Sequence, residues 1–543
     1  MPHGLYMAAA EAATFGKPFD CGLVLEFGGN LRHKYTVSMS SSASQRRRWW
    51  RILVWCCAVI LLGFAALIAF LWVLLDRVPQ SYPPVAHPIE IARGAASDNE
   101  LEGFGSPYLG HTGSWDGKGG GMFGASKIPD LDTEQAMHLH WTFMAAYWRA
   151  LEPGGPADLA RETPAAWKEM DAFLVAAHQR RLNILMQAPV LGGNAGGPPT
   201  WAGRREQGKS APANMEAAAA FAGKLAARYA PGGTLARQQG WGANYGVRAW
   251  ELDNEPDGYL THWKNQAADY AEFVTKTAAA IRQADPRAVI LGPATMGSGK
   301  ACRWIEGALD AGALNGSPAC RSQGAPYSIG PVLDAISFHV YEGLDSALSG
   351  KERTVEIAFS EIRDLFERYE DRSAGFHYAR KQQYWHTEGN FDFFGVLSRE
   401  RRAAWRMQFF TRAFAAGISK VAVMDASKPE QAAVRAYVDA LPDPFPMRRA
   451  GDRVKVLSGS PAVFLHLDDT NAEAGRVWVL WATGASGAEV DVPTIRERVM
   501  QVSADASHIP LKSANHAVRV RLKGDAKMAP PILLLDRARA HGG

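Results

Sequence analysis

The feature that most restricts the fold is an alternation of short apolar runs and longer segments with helical spacing, between about residues 90 and 425. Thr163 to Arg181 and Arg353 to Tyr369 carry apolar residues at helical intervals, whereas Leu182 to Val190 and Val247 to Leu252 are short apolar runs. Such runs are typical of strands buried on both faces, as in parallel sheets built from strand–helix units. Eight strand candidates fit in this region, the number that a (β/α)8 barrel requires.

An open, doubly wound sheet alternates in the same way, but the polar residues favour the closed barrel. Asn254-Glu255-Pro256 follows the fourth strand candidate, His339-Val340-Tyr341 ends the sixth, and Thr387-Glu388-Gly389 ends the seventh. Active sites of (β/α)8 barrels are built at the C-terminal ends of the strands. The sequence therefore predicts an α/β fold, with a (β/α)8 TIM barrel over residues 90–445.

The pattern changes after about Pro446. Short alternating or apolar runs separated by turn residues continue to the C-terminus. This pattern is typical of a small all-β unit, and we expect residues 446–543 to form a β-sandwich accessory domain.

The N-terminal part contains a candidate membrane span. Residues 1–45 are polar and weakly patterned, which predicts a disordered tail; Met39 is a second candidate start. An arginine cluster at 46–48 precedes an uncharged apolar run at 52–75. A bilayer-spanning helix needs about 20 residues, so this run predicts one transmembrane helix, a buried core helix being the alternative. The positive-inside rule places the tail in the cytosol, and Pro-rich residues 76–89 are predicted to link the span to an exported catalytic part.

Charge, cysteine content and histidine spacing indicate which ligands and cross-links to expect. The formal net charge is only +4 over 543 residues, so bulk electrostatics predicts no nucleic-acid partner. Cys302 and Cys320 are the cysteines of the exported part, and an oxidising compartment makes them a disulfide candidate; two free buried thiols are the alternative. His138 and His140 alternate as on a strand but lack a third ligand, so no metal and no cofactor is predicted.

Two carboxylates from separate strands that converge over one barrel mouth are the groups that glycosidic bond hydrolysis needs. Glu255 and Glu388 are the candidates, and unequal burial and mutual repulsion can keep one protonated while the other is ionised. Glu342, one residue after Tyr341, is a competitor for the second role.

These three strand tips resemble the clan A, or "4/7", superfamily of retaining glycoside hydrolases, and a barrel followed by a β-domain is most similar to family 39. The resemblance implies that Glu255 is the general acid/base and Glu388 the nucleophile. It also implies that Asn254 hydrogen-bonds the sugar 2-hydroxyl, that Tyr341 holds Glu388, and that His339 lines the cleft.

Other candidate substrate contacts rest on residue type. Trp263 and Trp385 could stack on sugar rings or fill the core, and Arg149 could reach the cleft from the second strand. The eighth strand tip reads Val423-Met424-Asp425-Ala426, where many clan members place a tryptophan platform, so the subsite at the cleavage point is expected to differ.

The sequence as a whole predicts a retaining glycoside hydrolase that cleaves a β-linked polysaccharide and is endo-acting. The membrane-anchored form resembles glycosidases of bacterial exopolysaccharide gene clusters. Together with the predicted span, this resemblance implies a single-pass inner-membrane protein with a periplasmic catalytic domain, associated with a polysaccharide synthesis or export complex. An exo-acting, xylosidase-like enzyme and a non-catalytic polysaccharide-binding or assembly factor are the alternatives.

Overall fold

The computed structural model describes residues 50–52, 54–63, 109–111, 131–191, 197–205, 211–243, 245–257, 263, 267–296, 301–309, 329–349, 353–372, 383–391, 397–424, 426–441, 447–467 and 475–536. The chain divides into two compact units, Met1–Leu71 and Trp72–Gly543.

In the first unit, residues 50–52 and 54–63 are helical. No helix within the described ranges combines the length and the apolar character that crossing a membrane requires. Residues 64–75 of the predicted span, the tail over 1–45 and the linker over 76–89 lie outside the described residues, as do Cys320 and the side chain of Cys302.

In the second unit, eight parallel strands follow one another in chain order around a closed barrel, and β1 pairs with β8 to complete it. This confirms the predicted (β/α)8 fold. The strands are β1 (Leu109–His111), β2 (Trp141–Tyr147), β3 (Asn183–Val190), β4 (Ala249–Glu251), β5 (Val289–Met296), β6 (Ala335–His339), β7 (Gln383–Glu388) and β8 (Lys420–Val423).

Helices lie between the strands and bury their apolar faces against the barrel. Ser398 accepts a hydrogen bond from the backbone N–H of Arg401 and so caps the helix that follows it, and Gly417 ends that helix in the left-handed conformation with φ of 109°. The helices are α1 (Leu131–Ala136), α2 (Trp148–Leu151), α3 (Ala165–Gln179), α4 (Met215–Tyr229), α5 (Thr234–Gln238), α6 (Ala267–Ala284), α7 (Ala301–Leu309), α8 (Glu342–Ser349), α9 (Val355–Arg372), α10 (Arg399–Ala416) and α11 (Lys428–Ala440).

Two strands are shorter than the apolar runs that contain them. The apolar run Met137 to Tyr147 becomes a strand only from Trp141, because His138 has a φ of 57°, which interrupts extended backbone. The run Val247 to Leu252 gives only Ala249–Glu251, because the chain turns away into the loop that carries Glu255.

The C-terminal region forms two antiparallel sheets, a six-stranded sheet in the order β15-β14-β17-β12-β11-β9 and a three-stranded sheet in the order β10-β13-β16. The strands are β9 (Met447–Arg449), β10 (Lys455–Gly459), β11 (Pro461–Leu467), β12 (Arg476–Ala482), β13 (Ala488–Pro493), β14 (Arg498–Ser503), β15 (His508–Lys512), β16 (Ala517–Leu522) and β17 (Ile532–Asp536).

Strand β12 lies at the centre of this region and is buried on both faces. Trp478 and Leu480 belong to the core shared by the two sheets, whereas Val477, Val479 and Trp481 belong to the core of the barrel. This follows from the two-residue period of a strand, which sends successive side chains to opposite faces. The larger sheet therefore packs directly against the barrel.

Candidate active site

The loop after β4 holds Glu255 by means of a strained backbone. Asp253 and Glu255 both have positive φ, 64° and 44°, which is uncommon for residues with a side chain. The Asp253 carboxylate stabilises this turn by accepting hydrogen bonds from the Leu191 backbone N–H at 2.9 Å and from the Trp263 indole N–H at 2.7 Å. The Glu255 N–H donates to the Ala294 carbonyl at 3.0 Å. Strain of this kind persists only when the surroundings over-determine it, which is typical of functional sites.

The tip of β7 holds Glu388 by close packing against β6. A Cβ on the next residue, Gly389, would lie 2.1 Å from the Val340 carbonyl oxygen, so only glycine fits there. The Val340 N–H donates to the Glu388 carbonyl at 3.2 Å, and the Tyr341 hydroxyl donates to Glu388 Oε1 at 2.5 Å. The predicted contact of Tyr341 with Glu388 is present, and it fixes the carboxylate.

His339 lies between the two carboxylates. Its Nδ1 is 3.0 Å from Glu255 Oε1 and 3.8 Å from Glu388 Oε2. One donor atom from each of the three residues lies within 4.8 Å of the other two. The imidazole is only 1% exposed, whereas the carboxylate side chains are 12% and 15% exposed, so the carboxylates keep an open face toward the barrel mouth.

Charge within this cluster shifts two pKa values. Burial lowers the pKa of His339, but the negative charges of Glu388 and Glu255 outweigh burial and raise the pKa to about 9. Burial raises the pKa of Glu388 to about 6; the His339 charge opposes that rise and the Glu255 charge adds to it. At neutral pH the imidazole is therefore protonated, and Glu388 takes up a proton at a higher pH than an ordinary glutamate does.

Glu255, His339 and Glu388 are also close enough together to hold a metal ion, and they form the group of this kind that the described residues contain. A protonated imidazole has no lone pair for a metal, and its positive charge repels a cation. The donor set therefore fits acid–base chemistry better than metal binding.

Two further titratable residues border the cluster. Tyr147, at the end of β2, has its pKa raised to about 12 by burial and by the charge of Glu388. Asp257, two residues after Glu255, has its pKa raised to about 7, chiefly by burial; the hydrogen bond from the Met296 N–H opposes the rise. Tyr147 is a cleft residue that the sequence did not single out.

A buried polar chain connects β3, β4 and β7 beneath the site. Glu251 is fully buried and accepts from the Gln187 amide at 2.9 Å and from the Thr387 hydroxyl at 2.7 Å. The same Gln187 nitrogen donates to Asn254 Oδ1 at 3.0 Å. Sequence reasoning missed Gln187 and Glu251, although each is a polar residue within an apolar strand run, which is the signal that could have found them.

Of the two alternatives for Trp263 and Trp385, burial contradicts stacking on sugar rings and supports core packing. Trp263 is fully buried among helix residues, and its indole is committed to Asp253. Trp385 is 1% exposed, with its ring 6.2 Å from that of Trp141 and the Lys420 ammonium 4.9 Å from its centroid. It fills the barrel interior below the site, so neither ring presents a face to a ligand.

Glu342, the competing nucleophile, has a structural role. It is 2% exposed and accepts hydrogen bonds from the Val355 N–H at 2.9 Å, the Trp405 indole at 2.6 Å and both terminal nitrogens of Arg412 at 2.8 Å. Arg412 also donates to Glu356 at 2.9 Å. A carboxylate whose lone pairs are occupied in this way is not available for attack.

Arg149 lies on α2, just after β2, and its side chain is exposed; a substrate contact by this residue stays a prediction. His138 and His140 precede β2 at the opposite end of the barrel from the carboxylates, and His138 Nδ1 contacts Asp439 at 2.5 Å. At the tip of β8, the Met424 sulfur lies 3.2 Å from the Tyr341 hydroxyl, so a thioether borders the site where many clan members place an indole.

The charge on His339 predicts a pH-dependent stability. The pKa of His339 is about 9 in the folded protein and 6.5 in the unfolded chain. Its contribution to the free energy of unfolding is therefore complete below pH 6.5 and is lost as the pH rises through 9. The difference corresponds to about 3 kcal/mol. Urea unfolding of the full chain between pH 6.5 and 9.5 should show a larger loss of stability for the natural protein than for His339→Asn. Parallel curves would contradict the assignment, and His508→Asn, which removes an exposed histidine, is the control.

Part of the chain matches a known family of glycoside hydrolases. Residues 209–320, which include Glu255, match the model of glycoside hydrolase family 44. No curated protein sequence matches the chain.

The fold is similar to that of a family 39 glycoside hydrolase from the gut symbiont Bacteroides cellulosilyticus WH2, with a TM-score of 0.51 and 13% identity over 84% of each chain. A glucosidase from Croceicoccus marinus has a TM-score of 0.51 and 14% identity over 79% of this chain and 95% of that one. A family 39 β-xylosidase from Caulobacter crescentus has a TM-score of 0.50 and 14% identity over 84% and 98% of the two chains.

At such low identity these structural likenesses support the fold, whereas the family match covers the segment that carries Glu255. The chain therefore matches a glycoside hydrolase family over residues 209–320 and has a fold similar to those of family 39 enzymes, with glutamates at or just beyond the ends of β4 and β7.

Proposed function

We propose that this protein cleaves a β-linked polysaccharide by double displacement at Glu255 and Glu388. The observation that carries the proposal is the separation of the two carboxylates, since their nearest reactive atoms and that of His339 all lie within 4.8 Å. Retaining glycosidases place their carboxyl groups about 5–5.5 Å apart, whereas inverting enzymes leave about 6.5–9.5 Å for a water molecule.

In the first step, ionised Glu388 attacks the anomeric carbon while Glu255 gives its proton to the leaving glycosidic oxygen. The C–O bond to the leaving group breaks and a glycosyl ester of Glu388 forms. Tyr341 donates to the Glu388 oxygen at 2.5 Å, which orients the carboxylate and favours its ionised form. Burial and the nearby Glu255 charge raise the pKa of Glu388 to about 6, which leaves the nucleophile mostly ionised at neutral pH.

In the second step, Glu255 takes a proton from water, whose oxygen attacks the anomeric carbon and releases Glu388. His339 supports both steps because its Nδ1 lies 3.0 Å from Glu255 Oε1. The protonated imidazole donates a hydrogen bond to Glu255 and so stabilises this carboxylate whenever it is charged.

The role of Glu255 predicts a chemical rescue. Glu255→Ala should reduce kcat/KM of the full chain on natural polysaccharide by about 10²–10⁴-fold, the usual contribution of a general acid–base group. A 2,4-dinitrophenyl β-glycoside, whose leaving group needs no protonation, should still form the glycosyl ester. Azide should then accelerate turnover and give a β-glycosyl azide, which proton NMR identifies. An α-azide or no rescue would contradict the assignment, and Asp257→Asn tests the neighbouring acid in parallel.

Endo action on a bacterial exopolysaccharide is the finer part of the proposal. It is supported by the Gly-rich segment 110–124 and the aromatic-rich front half of the barrel sequence, which would suit an extended groove. A polysaccharide panel with product sizing tests it, because early products longer than one or two sugars indicate endo action. Release of single sugars from chain ends would favour the xylosidase-like alternative, and binding without cleavage would favour a non-catalytic assembly factor.

The cellular location is proposed from sequence alone. The arginine cluster at 46–48 and the uncharged run at 52–75 support a single-pass inner-membrane protein with a cytoplasmic N-terminus and a periplasmic barrel, where a polysaccharide synthesis or export complex would be within reach. Protease digestion of spheroplasts should remove the barrel while leaving cytosolic markers intact; a protected barrel would contradict this topology.

A further inference from the structure

The buried Glu251 carboxylate, beneath Glu255 and Glu388, determines how neighbouring side-chain amides are oriented. An ionised carboxylate only accepts hydrogen bonds, so the atom of Gln187 that faces Glu251 Oε2 at 2.9 Å must be the amide nitrogen. The other oxygen of Glu251 accepts from the Thr387 hydroxyl at 2.7 Å. Glu251 is fully buried and Gln187 is 3% exposed, so neither partner can turn to water instead.

The orientation of Gln187 in turn fixes that of Asn254. The second N–H of the Gln187 amide donates to Asn254 Oδ1 at 3.0 Å. A side-chain amide has one oxygen side and one nitrogen side, so committing the oxygen of Asn254 to Gln187 reserves its NH2 group for another partner. Asn254 is half-buried and directly precedes Glu255, so its NH2 group is close enough to the mouth of the barrel to bind a ligand there.

We propose that Glu251 is a positioning residue that acts through Gln187 to keep the amide of Asn254 oriented as a hydrogen-bond donor toward the sugar 2-hydroxyl. The inference rests on the proposed function. The register of the two strands supports this role, because the pairing of β3 with β4 places Gln187 directly opposite Glu251. With a neutral residue at position 251, Gln187 could rotate by half a turn, and Asn254 would then present its oxygen to the substrate in part of the molecules.

Substrate pairs separate this role from simple packing. We define the 2-hydroxyl effect as the ratio of kcat/KM for a 2,4-dinitrophenyl β-glucoside to that for its 2-deoxy counterpart. In Glu251→Gln, which keeps size and the capacity to accept from Thr387, the effect should fall by about tenfold or more, the value of one well-placed hydrogen bond to a developing charge. Glu152→Gln changes another buried carboxylate, 2% exposed and bonded to the Trp148 indole, and should leave the effect unchanged.

A pH profile gives an independent readout. The Glu251 charge is one of the contributions that raise the pKa of Glu388, so the acid limb of kcat/KM should move to lower pH in Glu251→Gln. A residue that only fills space would not move this limb.

Stability measurements test the connection without turnover. In a double-mutant cycle by urea unfolding, Glu251→Gln and Asn254→Ala should be coupled, and Gln187→Met should abolish the coupling. Additive effects, or an unchanged 2-hydroxyl effect in an active Glu251→Gln enzyme, would overturn the inference. A natural protein that cleaves neither glucoside and no polysaccharide would instead overturn the proposed function.

Discussion

Glu388→Gln is expected to lower kcat/KM of the full chain by at least about 10⁴-fold, because a carboxamide cannot form the glycosyl ester on which double displacement depends. The amide oxygen can still accept the Tyr341 hydrogen bond that Glu388 Oε1 accepts at 2.5 Å, so the fold and the open cleft should be retained. Steady-state kinetics with a 2,4-dinitrophenyl β-glycoside measures the loss, and calorimetric titration with an oligosaccharide should show that binding persists.

Glu342→Gln is the informative companion to this variant. Glu342 is bonded to Arg412, Trp405 and the Val355 N–H, so its loss should reduce stability while the folded fraction keeps its turnover. Near-natural activity of Glu388→Gln, or loss of turnover by folded Glu342→Gln at unchanged stability, would reassign the nucleophile.

Arg412→Met is expected to lower the free energy of unfolding by about 3–5 kcal/mol, the usual result of removing one partner from a buried ionic network. Arg412 is 1% exposed and contacts Glu342 and Glu356, which are 2% and 3% exposed. Without the guanidinium these two buried carboxylates lose their principal counter-charge. Urea denaturation at neutral pH measures the change.

Two variants make this prediction specific. Arg519→Met removes a cation paired with Asp491 at 2.8 Å on the exposed surface of β16, where such pairs contribute about 0–1 kcal/mol. Adding Glu342→Gln and Glu356→Gln to Arg412→Met should recover part of the loss, because the uncompensated charges are then gone. A loss no larger than that of Arg519→Met would show that the network does not stabilise the fold.

The sequence was most informative where polar residues end an apolar strand. Asn-Glu-Pro after β4 and Thr-Glu-Gly at the end of β7 could be recognised because the strands of a barrel end at one face, so the approximate strand count sufficed to bring Glu255 and Glu388 together. The ends of β2 and β4 were less predictable, because single positive-φ residues such as His138 and Asp253 stop a strand inside an apolar run.

Depth within the barrel was not predictable. Trp385 and Thr387 lie on the same side of β7, two residues apart, and a strand rises about 3.3 Å per residue. That small difference in height places Thr387 against Glu251 near the mouth and Trp385 against Lys420 in the floor. Residue type alone could not separate a sugar platform from a filler of the barrel interior.

Cross-strand and cross-helix partners were also beyond reach. Gln187 and Glu251 are 64 positions apart and meet only because β3 and β4 pair in one register. Glu342, the first residue of α8, and Arg412, on α10, are 70 positions apart and meet only in the folded chain. In both cases the individual residues look ordinary in the sequence, and their role arises from the partner.

The double burial of β12 changes what the C-terminal sheets mean for the enzyme. Val477, Val479 and Trp481 belong to the same apolar core as the barrel and its surrounding helices, and the Gln408 side chain on α10 donates to the Ala529 carbonyl at 2.6 Å. Cleavage of the chain near residue 446 would expose apolar surface to solvent on both fragments. The C-terminal sheets are thus an integral part of the folded barrel, and we expect the two parts to unfold in one thermal transition.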